Sequence, residues 1–292
     1  MTDAKTLTAE LGGKWHRSYG VAPCPFCQHE RRRDQVALTL HDGPKGLLAH
    51  CKKSGCAFRD IMAAAGVAPG TCQPLDPFTV ARRRAEEQAE AAKRATQAHR
   101  LWCDALPIAG TVAEAYLRGR AITCPLPETL RFAPSCWHAT ARRFPALVAR
   151  VDGGEGFAVH RTYLREDGTG KAEVDPPKAM LGAVAGGAVC VAQAQGPLVV
   201  AEGIETALSL ASGLLRAPAN VWAALSTSGI RGLHLPPQPG RLTIAADGDN
   251  PGRAAAQALA ERAHALGWQV SLLPAPEGRD WNDVLAGKAV AA

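Results

Sequence analysis

Four carboxylates, Glu202, Asp247, Asp249 and Asp280, stand at positions from which a folded chain can gather them. Glu202 ends the apolar run Leu198-Val199-Val200-Ala201 and is followed by Gly203 and a stretch of helix formers. That order reads as strand, tight turn and helix. The pattern recurs where Leu242-Thr243-Ile244-Ala245-Ala246 runs into Asp247-Gly248-Asp249-Asn250-Pro251-Gly252. Asp280 follows a third apolar run, within Gly278-Arg279-Asp280-Trp281-Asn282-Asp283. In open α/β sheets the crevice for chemistry lies at the carboxyl ends of the strands, so these acids are expected to converge on one site. Hard oxygen ligands with no matching cation suit Mg²⁺. Asp283 has a plainer use, in the first turn of a terminal helix.

A second group consists of thiols. Pro23-Cys24-Pro25-Phe26-Cys27 and His50-Cys51-Lys52-Lys53-Ser54-Gly55-Cys56 each carry a cysteine pair next to Gly or Pro, as the two knuckles of a tetrahedral Zn²⁺ site require. Between them Gln35 to Leu40 alternates and Gly46 to Ala49 follows a His-Asp-Gly-Pro turn, so a hairpin separates the knuckles. His50 competes with Cys51 as a ligand and His29 with Cys27; the four thiolates are the preferred set. Arg31, Arg32, Arg33, Lys52, Lys53 and Arg59 surround this zinc ribbon, and Trp15, Tyr19 and Phe26 are available to stack on bases. Both a reader of nucleic acid and a protein-docking ribbon fit that description.

The elements that must position these groups divide the 292 residues into several parts. Residues 1–70 hold a short leading helix and the ribbon. Residues 71–106 comprise a Gly/Pro-rich linker and one long helix with Asp76 as its cap; polar residues on every side of it suggest a solvent-bridging connector. Residues 107–195 read as a small mixed α+β unit, with a helix over 111–120 and strands over 144–151 and 156–164. Lys178, beside the rigid pair Pro176-Pro177, is well placed to meet a phosphate. Arg161 and Lys171, taken singly, read equally well as solvated surface charges. Residues 196–292 alternate strand and helix, which implies a parallel sheet with right-handed crossovers. There the helix over 204–212 follows the first acid, and the helix over 251–266 has Asn250 as cap, Pro251 at its first position and Gly267 after its end.

Lys and Arg outnumber Asp and Glu between residues 14 and 60 and balance them after residue 196, within a net charge of +6. A basic module gripping a polyanion and a separate acidic metal module would produce that asymmetry. The opening residues lack the basic-then-apolar pattern of a secretory signal, no uninterrupted apolar run is long enough to span a bilayer, and nine cysteines without such a signal point to reduced thiols. The expected location is the cytoplasm.

Ala201-Glu202-Gly203, then Asp247-Gly248-Asp249 followed by Gly252-Arg253, then a late Asp, resembles the Toprim domain shared by bacterial-type primases and topoisomerases. With the N-terminal knuckles and the basic middle unit, nearly the whole chain is similar to the bacterial and phage DnaG-type DNA primases. The resemblance implies an α/β Toprim parallel-sheet domain, preceded by a mixed α+β basic subdomain and a β zinc ribbon. It implies Glu202, Asp247, Asp249 and Asp280 as the catalytic, Mg²⁺- or Mn²⁺-holding acids, and Cys24, Cys27, Cys51 and Cys56 on structural Zn²⁺. Pro177-Lys178 resembles the family's Pro-Lys, whose lysine contacts nucleic acid or nucleotide, and His160-Arg161-Thr162 resembles a nearby basic strand. Arg161, Lys171 and Arg253 join Lys178 as candidate substrate contacts. Implied partners are a single-stranded DNA template, ribonucleoside triphosphates and a replicative helicase in trans, with no membrane. The rivals are a Toprim nuclease and a zinc/Toprim recombination mediator that holds DNA without catalysis. Many such primases have His where this chain has Cys27, and four residues rather than two lie between Cys51 and Cys56.

Overall fold

The computed structural model describes residues 3–16, 18–28, 30, 36–43, 46–68 and 77–291. His29, Arg31, Arg32, Arg33, most of the linker and the expected cap Asp76 lie outside the described residues. The chain divides into two compact units, Met1–Glu90 and Ala91–Ala292.

In the first unit helix α1 (Ala4–Glu10) is capped by Asp3, whose carboxylate accepts from Thr6 N. Strands β1 (Lys14–His16), β2 (Tyr19–Ala22), β3 (Leu38–Gly43) and β4 (Gly46–Cys51) form an antiparallel sheet in sequential order, followed by helix α2 (Phe58–Ala64). Leu38 and Leu40 alternate inward with Leu47 and Cys51, and Leu7, Ile61 and Met62 close the small core over them. The expected hairpin between the knuckles is β3–β4, and β1–β2 adds a pair too short to stand out in the sequence. Helix α3 (Pro77–Asp104) follows. Within this unit its Arg83 pairs with Asp3 and Asp42.

The second unit begins with the end of α3, which is more than a connector: Ala98 and Trp102 are buried against Ala146, Val148, Val159 and Tyr163. The helix looks polar all round because only its last turns have a sheet to cover. That sheet has five strands in sequential, antiparallel order: β5 (Leu106–Pro107), β6 (Leu130–Trp137), β7 (Arg143–Val151), β8 (Ala158–Tyr163) and β9 (Lys178–Leu181). Helix α4 (Val112–Gly119) lies between β5 and β6 in sequence and buries Ala113, Tyr116 and Leu117.

A second sheet, in the order β10-β12-β11-β13-β14, is built from β10 (Val189–Ala192), β11 (Leu198–Ala201), β12 (Asn220–Ala223), β13 (Arg241–Ala245) and β14 (Gln269–Leu272). Its last four strands by sequence are parallel, as the alternation implies, and β10 adds an antiparallel edge hidden in a Gly/Ala-rich stretch. Both faces are covered. Val199, Ala201, Val221 and Ala223 meet helix α5 (Ile204–Ser209) and Leu285 of α8 (Trp281–Ala291). Leu198, Val200, Leu242 and Ile244 meet α6 (Thr227–Gly232) and α7 (Asn250–Ala265). Strands buried on both sides explain the unbroken apolar runs. The helix expected over 204–212 is α-helical only to Ser209 and continues as a π turn over Leu210–Leu214, where Gly213 has φ +97°. Because β12 and β13 lie on opposite sides of β11, the strand order reverses there, the position beyond which open α/β sheets place their chemistry, at the carboxyl ends of the strands.

Candidate active site

Glu202 is the first residue after β11 and Asp247 lies two residues after β13; these strands pair in parallel with Ala201 beside Ala245. Register alone therefore sets the two acids at one rim. The loop after β14 brings the third: Gly248 N donates to Arg279 O at 2.8 Å and Gly278 N to Gly248 O at 3.0 Å. A Cβ on residue 248 would lie 1.9 Å from Pro276 O, so only glycine lets the Asp247–Asp249 loop lie against the segment carrying Asp280. Arg253 locks the same loop by donating to Gly248 O at 2.8 Å. Asn282, buried, donates to Arg120 O and Ser209 Oγ, both at 2.9 Å, and so ties the start of α8 to α4 and α5.

The cap of α7 is Asp249, not Asn250: Asp249 Oδ1 accepts from Gly252 N at 2.7 Å. With Pro251 at the second helical position, a carboxylate one residue earlier reaches the free N–H of Gly252. Asp249 thus commits one oxygen to the helix while the residue as a whole stays exposed. Asp280 and Asp283 form a reciprocal cap, Asp283 N donating to Asp280 Oδ1 at 2.8 Å and Asp280 N to Asp283 Oδ2 at 3.2 Å. Asp283 serves the start of α8, the plainer of its two expected uses.

Burial and the negative charges of Glu202, Asp280 and Asp249 push the Asp247 carboxyl up to about 7. Burial, then Asp249, raises Glu202 as well. Asp247 Oδ1 is buried with no hydrogen-bond partner, a costly state for a carboxylate that a cation would relieve. Among the described residues the acids stand further apart than the thiols, since the four cysteines alone bring three or more ligand atoms within 4.8 Å of one another. Mg²⁺ tolerates that spacing because it retains several waters and takes one or two carboxylates directly. A divalent ion that took Asp247 as a ligand would displace the carboxyl proton to solvent. Mn²⁺ binding at about pH 6 is thus expected to liberate about one proton per ion and to weaken about tenfold per pH unit below 7. Calorimetry in two buffers of different ionisation enthalpy measures this, and no proton release would contradict it.

The cations near this rim come from β9 and from the stretch between β8 and β9. Lys178 Nζ, on β9, donates to Glu205 Oε2 at 3.1 Å, and Lys171 Nζ lies 3.4 Å from Glu205 Oε1. Tyr116 Oη donates to Glu205 Oε1 at 2.9 Å. Burial acts to raise Glu205, but Lys178 and Lys171 outweigh it and hold the carboxyl well below the usual range. Lys178 also pulls Glu202 and Asp247 downward, so its charge reaches the acid rim. His160, adjacent on β8, is buried and held neutral, pushed down to about 4 by burial and then by Lys178. Arg161, the next residue, takes the opposite face of the strand: it lies over Tyr163 and donates to Trp137 O and Met180 O. The structure therefore gathers Lys171 and Lys178 on Glu205, lets the charge of Lys178 alone act on Glu202 and Asp247, and turns Arg161 to the other face of β8. Glu205 does not stand out in the sequence; its one signal is a carboxylate among Ile204, Thr206, Ala207 and Leu208, all of them buried.

The Sγ atoms of Cys24, Cys27, Cys51 and Cys56 lie within 4.8 Å of one another, Cys27 and Cys51 at 3.5 Å. Tetrahedral Zn–S bonds of about 2.3 Å place sulfurs about 3.8 Å apart, whereas a disulfide needs about 2.05 Å. Burial raises the Cys51 thiol, yet the N–H groups of Ser54, Cys56 and Lys53 aimed at its sulfur bring it down to about 6. Four residues between Cys51 and Cys56 thus still make a working knuckle. His50 is exposed where Cys51 is buried, on the other face of β4, which removes it as a rival ligand. Tyr19, Phe26, Lys52, Lys53 and Arg59 are exposed on the same unit. No helix among the described residues is long and apolar enough to cross a membrane.

Residues 92–191 match a family described as Domain of unknown function (DUF7146), and residues 197–290 match the Toprim domain family. No curated protein matches the chain. Among solved structures, the zinc-binding and RNA polymerase domains of the Aquifex aeolicus primase align over 99% of this chain and 82% of that one, with 14% identity and a TM-score of 0.43. A DNA primase domain from Pseudomonas aeruginosa aligns over 62% and 69%, with 19% identity and a TM-score of 0.39. The RNA polymerase domain of Mycobacterium tuberculosis primase DnaG aligns over 66% and 77%, with 19% identity and a TM-score of 0.41. The parallel sheet, its strand-end acids and the family match over the same stretch identify residues 197–290 as a Toprim domain.

Proposed function

We propose that the protein is a DNA primase that copies single-stranded DNA into a short RNA primer from ribonucleoside triphosphates. The observation that carries this reading is Asp247, with a buried, unpartnered oxygen at the switch point of a Toprim sheet and three further acids around it. Asp247, Asp249 and Asp280 would hold one or two Mg²⁺ or Mn²⁺ ions, with Glu202 as a further ligand or as proton acceptor. When bound, such an ion activates the primer 3′-hydroxyl and neutralises triphosphate charge. The 3′-oxygen attacks the α-phosphorus, its proton leaves, and pyrophosphate departs. Glu202, whose proton affinity is raised by burial, is suited to take that proton. Lys171 and Lys178 are partly exposed and supply positive charge beside the acids for template or triphosphate. Trp137, 52% exposed with the Arg143 guanidinium 5.7 Å from its ring centroid, offers a base a stacking surface with a cation beside it. The four thiolates would hold a structural Zn²⁺ in a module that selects where on the template synthesis begins.

Mixed-sequence single-stranded templates, Mg²⁺ or Mn²⁺ and labelled ribonucleotides are expected to yield a ladder of short RNA products. Labelled nucleotides that are never joined on any template, with either metal, would refute the assignment. Shortened template instead of new product would indicate a nuclease, and retarded template without product a DNA-holding protein.

A further inference from the structure

Glu205 is buried and ionised, and the nucleotidyl transfer proposed above makes no use of it. It sits in the first turn of α5, three residues after Glu202, yet its carboxylate is directed to Tyr116, Lys171 and Lys178. Lys178 is thereby a cation between two attractors, one buried carboxylate at 3.1 Å and the group Glu202, Asp247, Asp249 and Asp280 at the strand ends. A lysine ammonium is a compact charge on a flexible stem. Carboxylates gathered at one rim attract any cation near them. His160 adds no competing charge because it is neutral, and Arg120 lies over the Tyr116 ring, 5.9 Å from its centroid. Without the negative charge of Glu205, Lys178 is free to swing to the acids and neutralise them itself.

We propose that Glu205 is a positioning residue: it anchors Lys178, together with Lys171, away from the strand-end carboxylates and so keeps those carboxylates open to a divalent cation. This rests on the metal-dependent reading of the same site.

The test is Mn²⁺ binding to the zinc-loaded full chain, followed by electron paramagnetic resonance. Glu205→Gln keeps the shape and a hydrogen-bond acceptor for Tyr116 but removes the charge, and is expected to weaken Mn²⁺ binding about 10- to 100-fold, the usual cost of losing an outer partner of a metal site. Glu205→Gln combined with Lys178→Met removes the competitor and is expected to return the affinity to near the native value. Tyr116→Phe leaves the charge in place and is expected to leave Mn²⁺ affinity unchanged. Unaltered binding in Glu205→Gln overturns the proposal, as does weak binding that the double variant fails to restore, because the loss is then structural. If Glu205→Gln does not fold, Glu205→Met, which also removes the charge at nearly the same volume in this buried position, takes its place, alone and with Lys178→Met, and the same two outcomes overturn the proposal. A native chain that binds no Mn²⁺ overturns the metal-centre reading and this inference together, an outcome distinct from failure of the variants alone.

Discussion

Asn in place of Asp247 is expected to lower primer synthesis by at least about 10³-fold, the scale of several kcal/mol of charge stabilisation at a reacting phosphate. The substitution is nearly isosteric and removes a charge from the one carboxylate that burial and three acidic neighbours push up to about 7. Retention of single-stranded DNA is expected to stay near native, because Lys171, Lys178, Trp137 and Arg143 are untouched. The metal-free variant is expected to melt a few degrees higher at about pH 8. The sign follows from linkage. A carboxyl whose folded-state pKa lies above its unfolded one favours the fold below about 4, and that contribution is lost as pH rises through about 7, so at pH 8 the ionised group is a burden. Activity lost while stability rises is the pattern of a residue kept for chemistry. A variant that melts lower and also releases DNA would make Asp247 a structural residue instead.

The nearness of Glu202 and Asp247 was legible because each closely follows a buried apolar strand, and register between parallel neighbours does the rest. Ala201 beside Ala245 is enough to bring Glu202 and Asp247 together. The thiol site was legible for a similar reason, since knuckle spacing is a local property. What escaped depends on contacts between distant segments. Glu205 looks like an ordinary acid favouring a helix N-terminus, and its partners come from three separate segments, Tyr116 from α4, Lys171 from the stretch between β8 and β9, and Lys178 from β9. Arg161 shares a strand with His160, and without the sheet nothing in the sequence says which of the two faces the acids. The cap of α7 is one residue earlier than expected because Asp249 and Asn250 are both good caps, and only geometry shows which carries the bond to Gly252. Strand β10 carries too little apolar contrast for periodicity to expose it.

Ser in place of Cys51 is expected to cost the protein its zinc and, with it, the first unit's fold. The core there is small, and Cys24 and Cys51 are themselves part of it alongside Leu7, Leu38, Leu40 and Ile61. A module of this size commonly depends on its metal for folding free energy. Cys51 receives the N–H groups of Ser54, Cys56 and Lys53, so it is the sulfur best prepared to be a thiolate, and a serine hydroxyl there stays protonated at neutral pH. Zinc content measured by atomic absorption is expected to fall from about one per chain to near zero, and protease is expected to cut between residues 3 and 68 while the segment from Ala91 onward persists. Because the carboxylates lie in the second unit, extension of a preformed primer is expected to survive far better than initiation without one. A variant that keeps its full zinc content would show that the thiols are not the ligand set. One that loses zinc yet initiates as well as it extends would remove start-site selection from the ribbon.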